Sequence, residues 1–312
     1  MRLDQRGDSA HSIAMTGQDH DFSHLDRVGR ATASVSRNPR LTVNIVLGAG
    51  VLLAWLLLGA MAIRGAESRA PGIDAPGDMM LRNLPQLLLP DFLERFFTLC
   101  LAPAPLDGGV GAQAGALIVM WFLMAIATML PSAAPMIRTY CEIADTARIK
   151  SEPVVHPLVL VAGYLSVWLA ASVVFAALTL AVHTFASSVQ MLDPVVGATG
   201  AAALLVAGLY QFSGLKEACL TKCKNPFSIL FSNWSARPGR IFRLGMEQGV
   251  WCLGCCWALM LVMFAVGVMN VFWMALIGLF TLIEKQTAGR LPTRVAGAIL
   301  LVWATALLVI SA

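Results

Sequence analysis

Apolar residues run along this chain in blocks too long and too continuous for the interior of a soluble domain. Seven stand out, at about 41–63, 112–137, 155–186, 196–214, 249–266, 268–284 and 295–311. Each is near the roughly 20 residues that a helix needs to cross a hydrocarbon core of about 30 Å. The ten-residue alternation of a membrane β-barrel is missing, so the pattern predicts an all-α, polytopic transmembrane helical bundle. The stretch 249–284 carries no charge before Glu284. As one straight helix it would extend about 52 Å at 1.5 Å per residue, well beyond the core. Two short spans turning near Gly267, Met269 and Asn270 fit better and give about seven spans. One broken span there would leave six.

The distribution of Lys and Arg orients the bundle, because cytoplasmic segments carry the excess. With the amino terminus inside, eighteen of the 22 Lys and Arg residues fall in inner segments, namely the tail, 138–150, 216–243 and 285–294. The other four lie between Arg64 and Arg95. A single span over 249–284 would put Lys285, Arg290 and Arg294 outside instead. The expected organisation is a cytoplasmic, mostly disordered tail at 1–40 followed by a transmembrane domain at 41–312, with an outer loop at 64–110. The tail does not read as a cleavable signal, since its polar start is too long and no small-residue cleavage site follows. Within the outer loop, 84–101 is apolar but broken by Pro85 and Pro90 and charged at Asp91, Glu94 and Arg95. It reads as an interfacial helix and a docking surface for an extracytoplasmic partner. Composition agrees with the membrane assignment: 312 residues, 58% hydrophobic, 13% charged, mean hydropathy +0.73.

This topology puts most of the thiols on one side. Cys252, Cys255 and Cys256, within "WCLGCCWALM" at 251–260, lie at the inner end of the fifth span, and Cys219 and Cys223 at the inner end of the fourth. Cys141 is also inside and Cys100 outside. A reducing compartment argues against structural disulfides. At 100° per residue, Cys219 and Cys223 share a face, and Cys252, Cys256, Met260 and Met263 fall within an arc of about 80°. Met120 and Met124 form a further i, i+4 pair on the second span. Soft thiolate and thioether donors at these positions suit Cu(I), with zinc a competitor at the thiolate end. Two other readings stay open. Cys and Met are common apolar fillers of packed interiors, and Cys252 with Cys255 has the spacing of a redox pair.

Three segments carry a resemblance: "MWFLMAIATMLPSAAPMI" (120–137), "GLYQFSGLKEACLTKC" (208–223) and "WCLGCCWALMLVMFAVGVMNVFWMALIGLFTLIEK" (251–285). They are similar to the signature blocks of a bacterial family described as predicted metal-binding integral membrane proteins, which carries a domain-of-unknown-function label. The similarity covers about 110–290, the expected family core. It implies a metal-binding protein of the bacterial inner membrane, and some members of the family are linked to supplying copper to copper oxidases. The motif positions include Tyr210, Gln211, Lys216, Cys219, Cys223, Cys252, Cys255, Cys256, Met260, Met269, Asn270, Glu284 and Lys285. Gln248 stands where relatives often have His, so a site of His plus Cys is expected to be sulfur-only here.

The remaining polar residues are placed around that site. Glu247 and Gln248, a turn before the thiols, are expected to flank the metal ligands as a supporting layer, together with Lys216 and Glu284. For Glu284 a second reading stays open, that a carboxylate at a helix end simply reaches water. Gly111 and Gly115 form a GxxxG pattern that predicts close helix packing. Pro131 and Pro135 are expected to break or end the second span. His20 and His24 in the tail are spaced i, i+4, which chance explains as readily as a metal-collecting arm. No Walker loop, dinucleotide fingerprint, nucleophile elbow or HExxH occurs, so an enzyme is not expected, and the basic loop is explained by topology without nucleic acid. The expected function is a Cu(I) chaperone or transporter in the lipid bilayer, serving a copper-dependent enzyme or another membrane subunit. The alternatives are a membrane thiol-disulfide oxidoreductase and a non-catalytic scaffold with structural zinc.

Overall fold

A computed structural model describes residues 39–68, 78–83, 90–101, 109–188, 192–267 and 270–311. The tail at 1–38 with His20 and His24, parts of the outer loop including Pro85, and Met269 lie outside the described residues. Among the described residues every regular element is an α-helix: α1 (Pro39–Ser68), α2 (Asp78–Arg82), α3 (Asp91–Leu101), α4 (Gly109–Ser132), α5 (Ala134–Ile149), α6 (Pro157–Ser188), α7 (Leu192–Gln211), α8 (Gly214–Lys224), α9 (Pro226–Ser232), α10 (Pro238–Val266), α11 (Val271–Gln286) and α12 (Leu291–Ser311).

In all seven apolar blocks the described residues are mainly helical. Five of these helices, α1, α4, α6, α10 and α12, are long and apolar enough to cross a membrane. Two are shorter: the apolar part of α7 is Thr199–Gln211, and α11 has 16 residues, about 24 Å of helix. Leu52, Leu53 and Leu56 on α1 and Val302 on α12 are exposed. This apolar outer surface suits hydrocarbon and is unlike that of a water-soluble monomer.

The chain reverses between α10 and α11 where the residues allow it. Gly267 has φ +92°, a conformation glycine adopts without a Cβ penalty. The Asn270 side chain then accepts a hydrogen bond from the Trp273 amide at 3.2 Å and caps α11. At its other end α10 starts at Pro238, eleven residues before the apolar block at 249. Proline suits the first turn of a helix, and a polar stretch helical before it meets apolar surroundings leaves no hydrophobic signal. Cys252, Cys255 and Cys256 therefore sit midway along α10. The prolines of the second block also act differently from a simple stop. Pro131 lies inside α4, and the Ala133 amide still reaches the carbonyls of Met129 (3.2 Å) and Leu130 (3.1 Å). The helical path thus passes through the proline region into α5.

α10 is the hub of the molecule. It packs against α6, α7, α8 and α11, while α12 covers α7, and α4 contacts α1, α6 and α11. Glycine permits the closest approach, but not at the expected pair. Nothing lies within 4 Å of a Cβ built at Gly111 or Gly115. At the α6–α10 crossing, by contrast, a Cβ at Gly163 would lie 2.0 Å from the Phe242 carbonyl oxygen, and one at Gly245 would lie 2.1 Å from that of Leu160. Gly249 faces Tyr164 and Val167 at 3.0 Å. A GxxxG spacing shows that a helix has a flat side, but only the opposing helix makes it a contact. On α3, Phe97 and Cys100 are buried while Asp91, Phe92 and Glu94 are exposed, the pattern of an amphipathic helix. The Cys100 thiol donates to the Ala116 carbonyl on α4 at 3.5 Å, and burial pushes its pKa up to about 12.

Candidate metal centre

The close α6–α10 crossing brings Tyr164 against the thiols of α10. Its hydroxyl lies 3.0 Å from Cys252 Sγ and donates to the Met129 carbonyl at 3.2 Å. Cys255 Sγ lies 3.2 Å from Cys256 Sγ and 3.9 Å from Cys223 Sγ, and it donates to the Cys252 carbonyl at 3.1 Å. Sulfur from α8 thus meets sulfur from α10, although Cys223 and Cys255 lie 32 positions apart in sequence. Cys252, Cys255 and Cys256 are 2%, 1% and 0% exposed, and Cys223 is half-buried. Hydrogen bonding to Cys252 is the largest influence holding the Cys223 thiol above its ordinary pKa.

Cys219 is held differently. It is buried one turn before Cys223, and a Cβ at Gly254 would lie 2.6 Å from its Sγ. The absence of a side chain at Gly254 is what lets α8 seat Cys219 against α10. Burial pushes the Cys219 thiol up. The Tyr210 hydroxyl donates to the Gly254 carbonyl and its ring meets Trp257 edge-on at 5.0 Å, fixing the end of α7 on the same turn of α10.

Four methionines are buried deeper in the bundle. Met260 and Met263 follow Cys256 along α10 by about 6 and 10 Å of helix rise, and Met120 and Met124 are buried on α4. The Trp121 and Phe264 rings, 5.6 Å apart, join α4 to α10 beside them. Among the expected supporting residues, Gln248 is buried and lines a cavity of about 60 Å³ together with Ser132, Tyr164, Cys223, Cys252 and Lys285. Its Nε2 has no hydrogen-bond partner. Glu247, expected beside it, is exposed and does not line this cavity. Lys216 and Glu284 pair with each other at 3.0 Å, both fully enclosed, and Thr293 donates to Glu284 at 2.7 Å.

Two contacts of the thiols went unread in the sequence. Lys285 Nζ donates to Cys252 Sγ at 3.1 Å and to Ser132 Oγ at 2.7 Å, so an ammonium stands directly beside the sulfur cluster. Its place next to Glu284 in the "EK" pair was visible, but α11 turns the two side chains to different neighbours. Tyr164 gave a weaker signal: it is one of three tyrosines in the chain, each of which spends its hydroxyl on a backbone carbonyl or a thiol.

The donor set is soft and crowded. Two sulfurs that share one ion at about 2.3 Å each sit no more than about 4.6 Å apart, and the 3.2 and 3.9 Å separations around Cys255 fall inside that limit. Among the described residues, however, no group of three or more His, Cys, Asp or Glu side chains stands ready to surround a metal ion. The sulfurs are engaged with one another, with Tyr164 and with Lys285. A tetrahedral zinc site finds no support in this arrangement, whereas soft sulfur pairs are the natural donors for Cu(I), which accepts fewer ligands.

Apolar helices of membrane length around a buried group of cysteines define a class: helical proteins of membrane type with sulfur at their centre. A family model described as PpoB2, copper chaperone, matches residues 118–307. That is more than half of the chain, and the protein belongs to this family, whose role is copper handling. The matched region contains the thiols, Tyr164 and Lys285, and leaves out α1 to α3. Comparisons with curated proteins and with solved structures give no match.

Proposed function

We propose that the protein is an inner-membrane Cu(I) chaperone that takes its cargo onto Cys223, Cys252, Cys255 and Cys256 and hands it to a copper-dependent enzyme. The observation that carries this reading is the meeting of Cys223 from α8 with Cys255 of α10, whose Sγ in turn lies 3.2 Å from that of Cys256. A chain that needed only apolar filler has no reason to bring sulfur from two helices to within 3.9 Å. Cys219, one turn away, is the first recipient of an ion leaving the cluster or the last donor to it. Met260, Met263, Met120 and Met124 form the deeper neutral stage, where thioethers bind the ion more weakly than thiolates and release it by exchange of one sulfur for another. The ion keeps its oxidation state throughout, so no electron donor is needed. In this reading the tail is cytoplasmic, residues 41–312 form one transmembrane domain, and Gln248 and Lys285 border the cargo while Lys216 and Glu284 brace α8 against α11. A redox role for Cys252 and Cys255 needs access to a partner thiol, and their burial to 2% and 1% exposure opposes it.

The test is copper content. Protein purified anaerobically with Cu(I) is expected to retain copper and little zinc, and a Cys252→Ser/Cys256→Ser double variant to lose most of it while still unfolding cooperatively. Equal copper in the two proteins would remove these thiols from the function.

A further inference from the structure

Away from the thiols, a second polar cavity of about 110 Å³ opens where the end of α7 meets the starts of α8 and α12. Its wall carries Gln211, Lys216, Glu217, Arg290, Thr293 and Arg294. Gln211 is 3% exposed, and neither its Oε1 nor its Nε2 has a hydrogen-bond partner. A buried amide left with both ends unpaired costs free energy unless something in the cavity satisfies it. The charges around it are uneven. Lys216 is neutralised by Glu284 at 3.0 Å, and Arg290 by Glu217 at 2.8 Å. Arg294 has no carboxylate partner among the described residues, so one guanidinium remains uncompensated. Two helices also begin near this cavity, α8 at Gly214 and α12 at Leu291, and the positive ends of their dipoles add to the potential there.

We propose that this cavity binds a phosphate oxyanion. Both carboxylates near it are already paired, so the charge left over belongs to a donor, Arg294. The Gln211 amide supplies a further donor, and its Oε1 accepts from a hydroxyl on the phosphate ester. Phe212 and Leu215, exposed beside the cavity, offer apolar surface to acyl chains, so the group is either the headgroup of an anionic phospholipid or free phosphate. The site is separate from the thiol cluster and does not depend on copper.

The experiment uses the full chain in detergent, with phosphatidylglycerol or phosphatidylcholine added and retention read by native mass spectrometry. Inorganic phosphate is tested separately by thermal shift. Wild type is expected to keep one phosphatidylglycerol in preference to phosphatidylcholine. Arg294→Gln and Gln211→Leu are each expected to lower retention about tenfold, the scale of one lost hydrogen bond to a charged group, while Cys252→Ser retains the lipid. Gln211→Leu removes an unpaired buried amide, so its melting temperature without ligand is not expected to fall, which separates loss of binding from loss of fold. A thermal shift with inorganic phosphate alone, abolished in both variants, assigns the site to the free anion. Retention unchanged in both variants, or no response to either ligand, overturns the proposal.

Discussion

Gly245→Ala places one methyl group where the α6–α10 crossing has no room for it. The new Cβ would stand 2.1 Å from the Leu160 carbonyl oxygen and 3.1 Å from the Tyr164 amide nitrogen, and ordinary contact begins at 3.4 Å. Both obstacles are backbone, so no rotamer change relieves them and the helices must part by about 1 Å. Inserting a methyl into a packed interior costs about 1–3 kcal/mol. A gap of 0.5–1 Å forfeits a quarter to a half of each dispersion contact along the seam, so the upper end, about 3 kcal/mol, is expected. Gly163→Ala, 2.0 Å from the Phe242 carbonyl oxygen, strains the same seam and is expected to cost as much. Once one substitution has parted the helices the second meets less resistance, so the double variant is expected to fall short of the sum. The assay is unfolding in detergent together with copper retention, because parting α6 from α10 carries the Tyr164 hydroxyl away from Cys252. Gly115→Ala is the control: it has open space around it and is expected to be neutral or to gain up to about 1 kcal/mol from better helix propensity. Gly245→Ala with wild-type stability, or a double variant that is strictly additive, would refute the close-crossing account.

Lys216→Met alone leaves the Glu284 carboxylate enclosed without its partner and is expected to cost about 3–5 kcal/mol, whereas Lys216→Met/Glu284→Leu is expected to recover most of that loss; denaturant unfolding of the two variants decides. Asn270→Ala removes the cap on α11 and is expected to cost about 1 kcal/mol, seen as a lower melting temperature with copper retention unchanged. Cys100, buried and with a thiol pKa of about 12, is expected to resist alkylation at pH 8 until α3 detaches from α4, because the neutral thiol is unreactive; mass-spectrometric mapping of maleimide adducts in the folded protein checks this, and rapid labelling there would contradict the α3 packing.

Apolar block length was enough to place α1, α4, α6 and α12, since burial of a continuous hydrophobic run needs no partner to be read. The hairpin at Gly267 was legible for the same reason, with a glycine and an asparagine set between two such runs. Helix ends in polar sequence were not: the first turns of α10, around Arg240 and Arg243, look like loop until Pro238 is seen to start a helix. For the site, spacing alone grouped Cys219 with Cys223 and Cys252 with Cys256. The contact that joins the two groups runs through Cys255 and Cys223, which depends on how α8 lies across α10. Lys285 stood among the motif positions, but its contact with Cys252, like that of Tyr164, was not legible, because each sits on a different helix from that thiol and no periodicity within one helix encodes what a neighbouring helix presents.

The ammonium of Lys285, 3.1 Å from Cys252 Sγ, bears directly on the proposed copper role. Two unit positive charges about 4 Å apart repel by about 4 kcal/mol at an effective dielectric of 20, so the lysine and a monovalent metal ion compete for the same sulfur. In the proposed copper role, loading breaks the Lys285–Cys252 contact, while the Ser132 hydroxyl, already 2.7 Å from Nζ, keeps its hold on the side chain. On that proposal the empty site is tenanted by a tethered cation of the protein's own, and delivery would be an eviction followed by a return.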